Sequence, residues 1–199
     1  MKSITKDSAL IVTDVQNDFC PGGSLAVPQG DLVVPVLNDY IRLFSSSGAP
    51  IYATRDWHPH NHCSFKTQGG PWPVHCVQNS KGAEFHPRLA LPKEIKIVSK
   101  AADPKQDAYS AFEGTDLAVS LKRQGIRRLF IGGLATDYCV KCTVLDGIKA
   151  GFRVAFLKDA SRGVEVHTGD SEKATVEMLT AGADSATLAD FAQGVRHEA

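Results

Sequence analysis

Short apolar segments alternate with segments of helical periodicity along most of this chain, and no other feature constrains its fold as strongly. The predicted strands cover residues 9–13, 51–54, 95–98, 129–131 and 154–157, with a weaker candidate at 185–188. Because these runs are short and mostly apolar, they are typical of parallel strands that helices cover on both faces.

The segments between these strands place apolar side chains at the spacing of amphipathic helices. These segments are residues 32–44, 117–126, 139–148 and 174–179. The glycines expected to cap their C-terminal ends are Gly48, Gly125, Gly151 and Gly182. The alternation predicts an α/β fold with a doubly wound, mostly parallel six-stranded sheet and helices on both faces. Ligands of such sheets bind outside the carboxyl ends of the strands.

The length of the chain and its charge exclude several functional classes of protein. The chain has 199 residues, of which 43% are hydrophobic, so we expect one domain, residues 1–199, with its own core. Lys and Arg total 22 and Asp and Glu total 22, which argues against nucleic-acid partners and a polybasic membrane protein. No apolar run approaches the roughly 20 residues of a membrane span, and the first residues do not resemble a signal peptide. Five cysteines in a chain of this size favour a reducing cytoplasm.

Three polar residues follow three different predicted strands. Asp14 and Lys100 come at strand ends, and Cys139 lies just inside a predicted helix. A helix N-terminus and a neighbouring lysine both lower the pKa of a thiol, so Cys139 is a candidate nucleophile. A carboxylate beside it can accept the thiol proton and return it to a leaving group. Taken singly, each residue also has an ordinary explanation as a cap, a solvated lysine or core filler, and Cys142 is assigned to the core.

Residues 55–93 interrupt the alternation and are rich in His, Pro and Gly. Asp56 and His58 are two residues apart, so in an extended segment they face the same side. Together with His75 they are candidate ligands for zinc, iron or manganese. A structural zinc site that uses Cys63, Cys76 and two histidines is the alternative, although the cysteine spacing matches no zinc-finger pattern.

Six motifs, taken in order, resemble one enzyme family. They are DVQNDFC at 14–20, DWHP at 56–59, WPVHC at 72–76, Lys100, YSAFE at 109–113 and GLATDYCV at 133–140. Together they resemble the nicotinamidase/pyrazinamidase family of the cysteine-hydrolase superfamily, which also contains isochorismatase. The resemblance extends over nearly the whole chain. The WPVHC motif narrows it to nicotinamidases, because isochorismatases lack that metal site.

The resemblance implies a role for each matching residue. Asp14, Lys100 and Cys139 would be the catalytic triad. The metal ligands would be Asp56, His58 and His75, with waters completing the coordination shell of one divalent ion. Ser64 would contact one of those waters, and His62 matches a histidine that lies at the metal in some relatives. Phe19, Trp72 and Tyr109 would form the walls of the ring pocket. A cis peptide bond before Ala135 would place the Ala135 N–H beside that of Cys139 as an oxyanion hole.

The implied activity is hydrolysis of nicotinamide and pyrazinamide to the carboxylic acid and ammonia, through a cysteine thioester, in NAD salvage. The resemblance leaves the metal, the preferred amide and the oligomeric state open, with a homo-oligomer among the options, and assigns no role to Cys20. One alternative is an isochorismatase-like or N-carbamoyl-amine hydrolase without a metal. Another is a non-catalytic zinc-binding module whose histidine-rich loop is an interaction surface.

Overall fold

A parallel six-stranded sheet forms the centre of the computed structural model, which describes residues 3–191. The strands are β1 (Ser8–Thr13), β2 (Ile51–Asp56), β3 (Lys96–Lys100), β4 (Arg128–Leu134), β5 (Arg153–Arg162) and β6 (Asp184–Ala186). Their order is β3-β2-β1-β4-β5-β6, and every neighbouring pair is parallel. The predicted fold class is confirmed, with a sheet that is parallel throughout. Residues 1–2 and 192–199 of the predicted domain lie outside the described residues.

Four helices connect these strands. They are α1 (Val33–Ser46), α2 (Leu117–Arg123), α3 (Lys141–Lys149) and α4 (Asp170–Thr180). Helix α4 begins four residues before the predicted segment. The prediction missed its first turn because that turn is polar and carries no apolar periodicity. The prediction for the third helix was wrong at its start: residues Thr136–Val140 form a π-helical turn, and α3 begins only at Lys141. None of the helices within residues 3–191 is long and apolar enough to cross a membrane.

The helices cover both faces of the sheet, as the alternation predicted. Leu10 and Val12 of β1 point into the cluster that includes α1, whereas Ala9 and Ile11 point into the cluster that includes α2, α3 and α4. This division follows from the period of two along a strand, which sends neighbouring side chains to opposite faces. The burial of β1 on both faces explains its apolar sequence.

Strand register brings the candidate site together. Asp56, the last residue of β2, pairs with Lys100, the last residue of β3. Thr13 of β1 pairs with Gly133 of β4, so Asp14 emerges beside the segment that leads to Cys139. Asp56 therefore belongs to a strand, and not to the long loop in which the sequence placed it. The connection from β2 to β3 contains short 3₁₀ turns, Lys66–Gln68 and Lys81–Ala83.

Candidate functional site

Four buried side chains that can carry charge meet at the carboxyl edge of the sheet. They are Asp14, Asp56, Lys100 and Cys139. Lys100 Nζ forms an ion pair with Asp14 Oδ2 at 3.0 Å and donates a hydrogen bond to Asp56 Oδ1. It also donates to Cys139 Sγ at 3.5 Å and to Ala108 O at 3.2 Å. The structure thus brings the three predicted triad residues together around one ammonium group.

The backbone and a neighbouring strand fix the orientation of Asp14. Its φ of 49° ends β1 in the left-handed region, which aspartate adopts more readily than most residues. The Asp14 N–H donates to Thr54 O at 3.2 Å, and the Thr54 hydroxyl donates to Asp14 Oδ1 at 2.5 Å. Oδ2 is buried and has no hydrogen-bond partner among the described residues apart from the ion pair with Lys100. Asp14 Oδ2 is therefore the carboxylate oxygen available to accept a proton.

The three charged groups titrate differently. Burial raises the pKa of Asp14 above its ordinary value, although the Lys100 ammonium opposes this shift. Burial alone would lower the pKa of Lys100, but Asp14 and Asp56 outweigh it and hold that pKa well above its usual range. Burial would likewise raise the pKa of Asp56, but Lys100 and His58 bring it below its ordinary value. Lys100 therefore stays cationic, and Asp14 is the carboxylate that more readily takes up a proton.

Cys139 lies in the π-helical turn Thr136–Val140, which follows β4. Its sulfur and an oxygen from each of Asp14 and Asp56 lie within 4.8 Å of one another. Burial raises the pKa of the Cys139 thiol well above its usual value, Lys100 partly offsets this, and the two carboxylates raise the pKa further. The expectation of a lowered pKa was wrong, because desolvation and two anions outweigh one ammonium group. The thiol therefore needs a base, and the Asp14 carboxylate, with an oxygen within 4.8 Å of the sulfur, is placed to be that base.

Asp56, His58 and His75 form a second buried group, whose ligand atoms also lie within 4.8 Å of one another. The Asp56 Oδ2 atom is 3.6 Å from His58 Nε2 and 4.0 Å from His75 Nε2. The other ring nitrogens, both Nδ1, face the carbonyl oxygens of Ala101 at 3.1 Å and Pro73 at 2.8 Å. Because a carbonyl only accepts hydrogen bonds, each Nδ1 carries a proton, and Nε2 is the ring nitrogen left to bind a cation.

These residues fit a divalent cation. His58 Nε2 is buried and has no hydrogen-bond partner within the described part of the chain. Burial lowers the pKa of His75, which keeps its imidazole neutral. Two imidazole nitrogens and a carboxylate oxygen are a donor set suited to zinc, iron or manganese. The candidate metal groups found in residues 3–191 contain neither Cys63 nor Cys76, which argues against the structural zinc alternative.

His62 lies beside this group, but its ring nitrogens are already engaged. Its Nδ1 accepts from the Ser64 N–H at 3.3 Å and contacts the Ser64 hydroxyl at 2.7 Å, so Nε2 carries the proton and donates to Gln106 O at 3.2 Å. The ring stacks on that of His58, with centroids 4.1 Å apart. This geometry favours support of His58 over a role as a fourth ligand. Ser64 lines the cleft described next, and its contact with a metal-bound water stays a prediction.

A cleft opens over both groups. The predicted pocket residues Phe19, Trp72 and Tyr109 all line it, together with Ala135 and Cys139. The Trp72 indole N–H donates to the Tyr109 hydroxyl at 2.9 Å, which fixes the two rings relative to each other. The peptide bond between Leu134 and Ala135 is cis, as the resemblance implies. The cleft thus places flat aromatic walls beside a thiol and a cation-binding group.

Sequence reasoning missed several residues that complete this cleft. They are Leu25, Val27, Asp107, Ala108, Tyr138 and Val164. The Tyr138 ring lies 5.1 Å from Trp72 and 5.7 Å from Tyr109, so it extends the aromatic wall. Only its position next to Cys139 could have indicated this role. The other five lie outside the periodic segments, where the pattern of apolar residues is not informative.

Gln16 supports the site from behind, and no pattern in the sequence identified it. Its side-chain amide donates to Asp56 O at 2.8 Å and to Ala83 O at 3.0 Å, and its Oε1 accepts from the Asp56 N–H at 2.8 Å. This fully buried amide therefore holds both backbone groups of a candidate metal ligand. Removing such an amide would leave buried polar groups unpaired.

Comparisons with known proteins agree with this geometry. The family model of the isochorismatase domain matches residues 8–190. The nicotinamidase of Escherichia coli strain K12 is 44% identical over 204 aligned positions, which cover 92% of this chain and 96% of that protein. The nicotinamidase/pyrazinamidase of Mycobacterium tuberculosis is 37% identical and covers 88% of this chain and 96% of its own length.

A solved structure is similar over nearly its whole length. The crystal structure of the pyrazinamidase of Pyrococcus horikoshii in complex with zinc superimposes with a TM-score of 0.88 and 52% sequence identity. The superposition covers 91% of this chain and 99% of that one.

Proposed function

Because this chain belongs to the isochorismatase domain family, we propose that it is a nicotinamidase/pyrazinamidase, which hydrolyses the carboxamide of nicotinamide and pyrazinamide to a carboxylic acid and ammonia. The observation that carries the proposal is the position of Asp56. One carboxylate oxygen contacts Lys100 of the nucleophile group, and the other faces His58 and His75. A cysteine nucleophile and a metal-binding group therefore share one aromatic cleft.

The first half of the proposed reaction forms a thioester. Asp14 accepts the Cys139 proton as the sulfur attacks the carboxamide carbon, since the resting thiol is protonated. The carbonyl oxygen becomes an oxyanion, for which the N–H groups of Ala135 and Cys139 are the proposed donors. Lys100 remains cationic and stabilises the negative charge on the sulfur and on Asp14. The raised pKa of Asp14 suits it to hold the proton during this step.

The second half releases both products. Protonated Asp14 gives its proton to the leaving nitrogen, so the C–N bond breaks and ammonia departs. The same carboxylate then takes a proton from a water molecule, whose oxygen attacks the thioester carbon. The C–S bond breaks, the carboxylic acid leaves, and the proton on Asp14 returns to Cys139. One carboxylate thus serves as base and acid in turn.

Asp56, His58 and His75 would hold the divalent metal. When bound, such an ion supplies a Lewis-acidic position that orients a ring nitrogen of the substrate. Phe19, Trp72 and Tyr109 would hold the ring between them, because flat aromatic walls suit a flat heteroaromatic ligand. The metal-free isochorismatase-like alternative does not explain why two imidazoles and a carboxylate converge here.

Ammonia release from nicotinamide and from pyrazinamide tests the proposal. We expect purified protein to release ammonia from both amides, to lose this activity on chelation, and to regain it when Zn²⁺, Mn²⁺ or Fe²⁺ is added back. Elemental analysis of the same sample should find close to one metal ion per chain. Activity that is unaffected by complete metal removal would instead favour the metal-free hydrolases.

We also propose a reducing cytoplasm as the site of this reaction, with a small amide as substrate in NAD salvage and without nucleic-acid or membrane partners. The support is the state of the cysteines. All five cysteines are free, and Cys20, Cys76 and Cys139 are buried. Thiol titration of protein isolated without reductant should find five thiols after denaturation.

A further inference from the structure

Asp18 is a nearly buried carboxylate that lies outside the wall of the cleft. Its Oδ2 accepts the backbone N–H of Cys76 at 2.7 Å. Its Oδ1 accepts the N–H of Ser24 at 3.2 Å and the Ser24 hydroxyl at 3.1 Å. No lysine, arginine or histidine within residues 3–191 forms an ion pair with this carboxylate. Its negative charge is therefore stabilised by oriented N–H and O–H donors.

These donors belong to the two segments that form one side of the site. Cys76 directly follows His75, a candidate metal ligand. Ser24 directly precedes Leu25, which lines the cleft and whose N–H donates to Asp18 O at 3.0 Å. Asp18 thus joins the segment that carries a metal ligand to the segment that forms the apolar wall.

The next residue, Phe19, strengthens this connection. Its ring lines the cleft and packs 5.6 Å from the His75 ring. Cys76 has a φ of 46°, which a residue with a side chain rarely adopts, and its N–H points at Asp18 in this conformation. The hydrogen bond from Cys76 therefore holds the chain in the conformation that directs His75 into the metal group.

Two glycines leave space for this arrangement. A Cβ atom on Gly82 would lie 2.0 Å from Asp18 Oδ2, and one on Gly23 would lie 2.4 Å from Asp18 O. Gly82 has an ordinary backbone conformation, so the glycine is required for space and not for a positive φ. The surroundings of Asp18 are thus fitted to the carboxylate.

We propose that Asp18 is a positioning residue that aligns His75 for metal binding and holds Phe19 and Leu25 at the correct distance from it. The kinetic part of this inference rests on the proposed function, whereas the metal-binding part does not. Asp18 itself does not line the cleft and takes no part in the chemical steps.

Replacement by asparagine tests the proposal with little change in shape. Asp18→Asn replaces one carboxylate oxygen with an NH₂ group. This group faces either the Cys76 N–H or the Ser24 donors, so one contact brings two donors together and becomes repulsive. We expect the affinity for Zn²⁺ alone, measured by competition with a chromogenic chelator, to fall roughly 10- to 100-fold. At saturating Zn²⁺ we expect KM for nicotinamide to rise several-fold and kcat to change much less.

Three further variants separate positioning from loss of stability. Gly82→Ala keeps the carboxylate but displaces it, and should weaken Zn²⁺ binding in the same direction as Asp18→Asn. Ser24→Ala removes one donor on the cleft side only, so it should raise KM and leave Zn²⁺ affinity unchanged. Tyr40→Phe, which removes the partly buried hydrogen bond from Tyr40 to Asp159, should lower Tm without changing Zn²⁺ affinity.

The proposal is overturned by either of two results. One is wild-type Zn²⁺ affinity in both Asp18→Asn and Gly82→Ala. The other is an equal loss of affinity in Tyr40→Phe, which would show a general effect of lowered stability. If the wild-type protein releases no ammonia from any amide, the proposed function fails, but the Zn²⁺ measurements still decide the role of Asp18.

Discussion

Lys100 and Asp14 form a fully buried ion pair, with Nζ and Oδ2 3.0 Å apart and both side chains 0% exposed. Asp14 follows β1 and Lys100 ends β3, and these two strands are not neighbours in the sheet, because β2 lies between them. The ammonium group reaches across the end of β2 and also contacts its last residue, Asp56. Two buried anions thus share one cation, and this arrangement determines how the site responds to substitution.

Replacing the proposed nucleophile separates the chemical steps from metal binding. Cys139→Ala should lower the rate of ammonia release by a factor on the order of 10⁴ or more, because among the described residues only the Cys139 sulfur forms a group with Asp14 and Asp56 within 4.8 Å. The proposed metal ligands are unchanged, so elemental analysis should find the wild-type metal content. Retained turnover in this variant would exclude the thioester route.

Asp56→Ala should remove the metal. The substitution deletes the oxygen that faces both imidazoles, so we expect Zn²⁺ affinity to fall at least about 100-fold, as for loss of a direct ligand. Turnover should fall as well, and excess Zn²⁺ should restore it only in part. The matched control is Asp39→Ala on the exposed side of α1, for which metal content and activity should stay at the wild-type level. Unchanged metal content in Asp56→Ala would refute the ligand assignment.

Lys100→Met tests the shared cation. This substitution leaves Asp14 and Asp56 buried without their ammonium partner, and uncompensated buried charge costs about 3–5 kcal/mol. Urea unfolding of the metal-free protein should show this loss in the free energy of unfolding. The loss should be smaller at low pH, where Asp14 becomes protonated. A variant as stable as the wild type at pH 7 would contradict the arrangement of charges described here.

The titration of Tyr40 should lower the free energy of unfolding at alkaline pH. Its hydroxyl donates to Asp159 Oδ1 at 3.0 Å, and burial, followed by the nearby Asp159 charge, raises its pKa well above the ordinary value of 10.0. The folded protein therefore keeps a proton that the unfolded chain releases near that value. The stabilising contribution is complete below pH 10 and decreases above it, by up to roughly 1.4 kcal/mol per pH unit.

Tyr40→Phe provides the measurement. At neutral pH this variant should lose about 1–3 kcal/mol of unfolding free energy, because the Asp159 carboxylate loses a hydrogen-bond donor. The difference in the free energy of unfolding between wild type and variant should shrink as pH rises above 10. Taking this difference cancels the titration of the other groups, because both proteins share them. A difference that is independent of pH would show that Tyr40 ionises normally in the folded protein.

Much of the site could be anticipated from local patterns. Asp14, Asp56 and Lys100 were identifiable because each follows a short apolar run, and parallel strands end at one edge of the sheet. The same reasoning did not find Gln16 or Asp18, because their roles depend on backbone groups far along the chain. The spacing of polar residues carries no information about which distant N–H or C=O group will be buried beside them.

The sequence by itself determined the order of strands and helices, the polar strand ends and the histidine-rich connection, since apolar periodicity is a local property that the chain carries before it folds. Only the tertiary structure decided the electrostatics. It buried Cys139 beside two carboxylates and so raised the pKa of its thiol, and it engaged both ring nitrogens of His62. These outcomes depend on desolvation and on distances of a few ångströms between groups from separate segments, which exist only after the sheet and its loops have packed together.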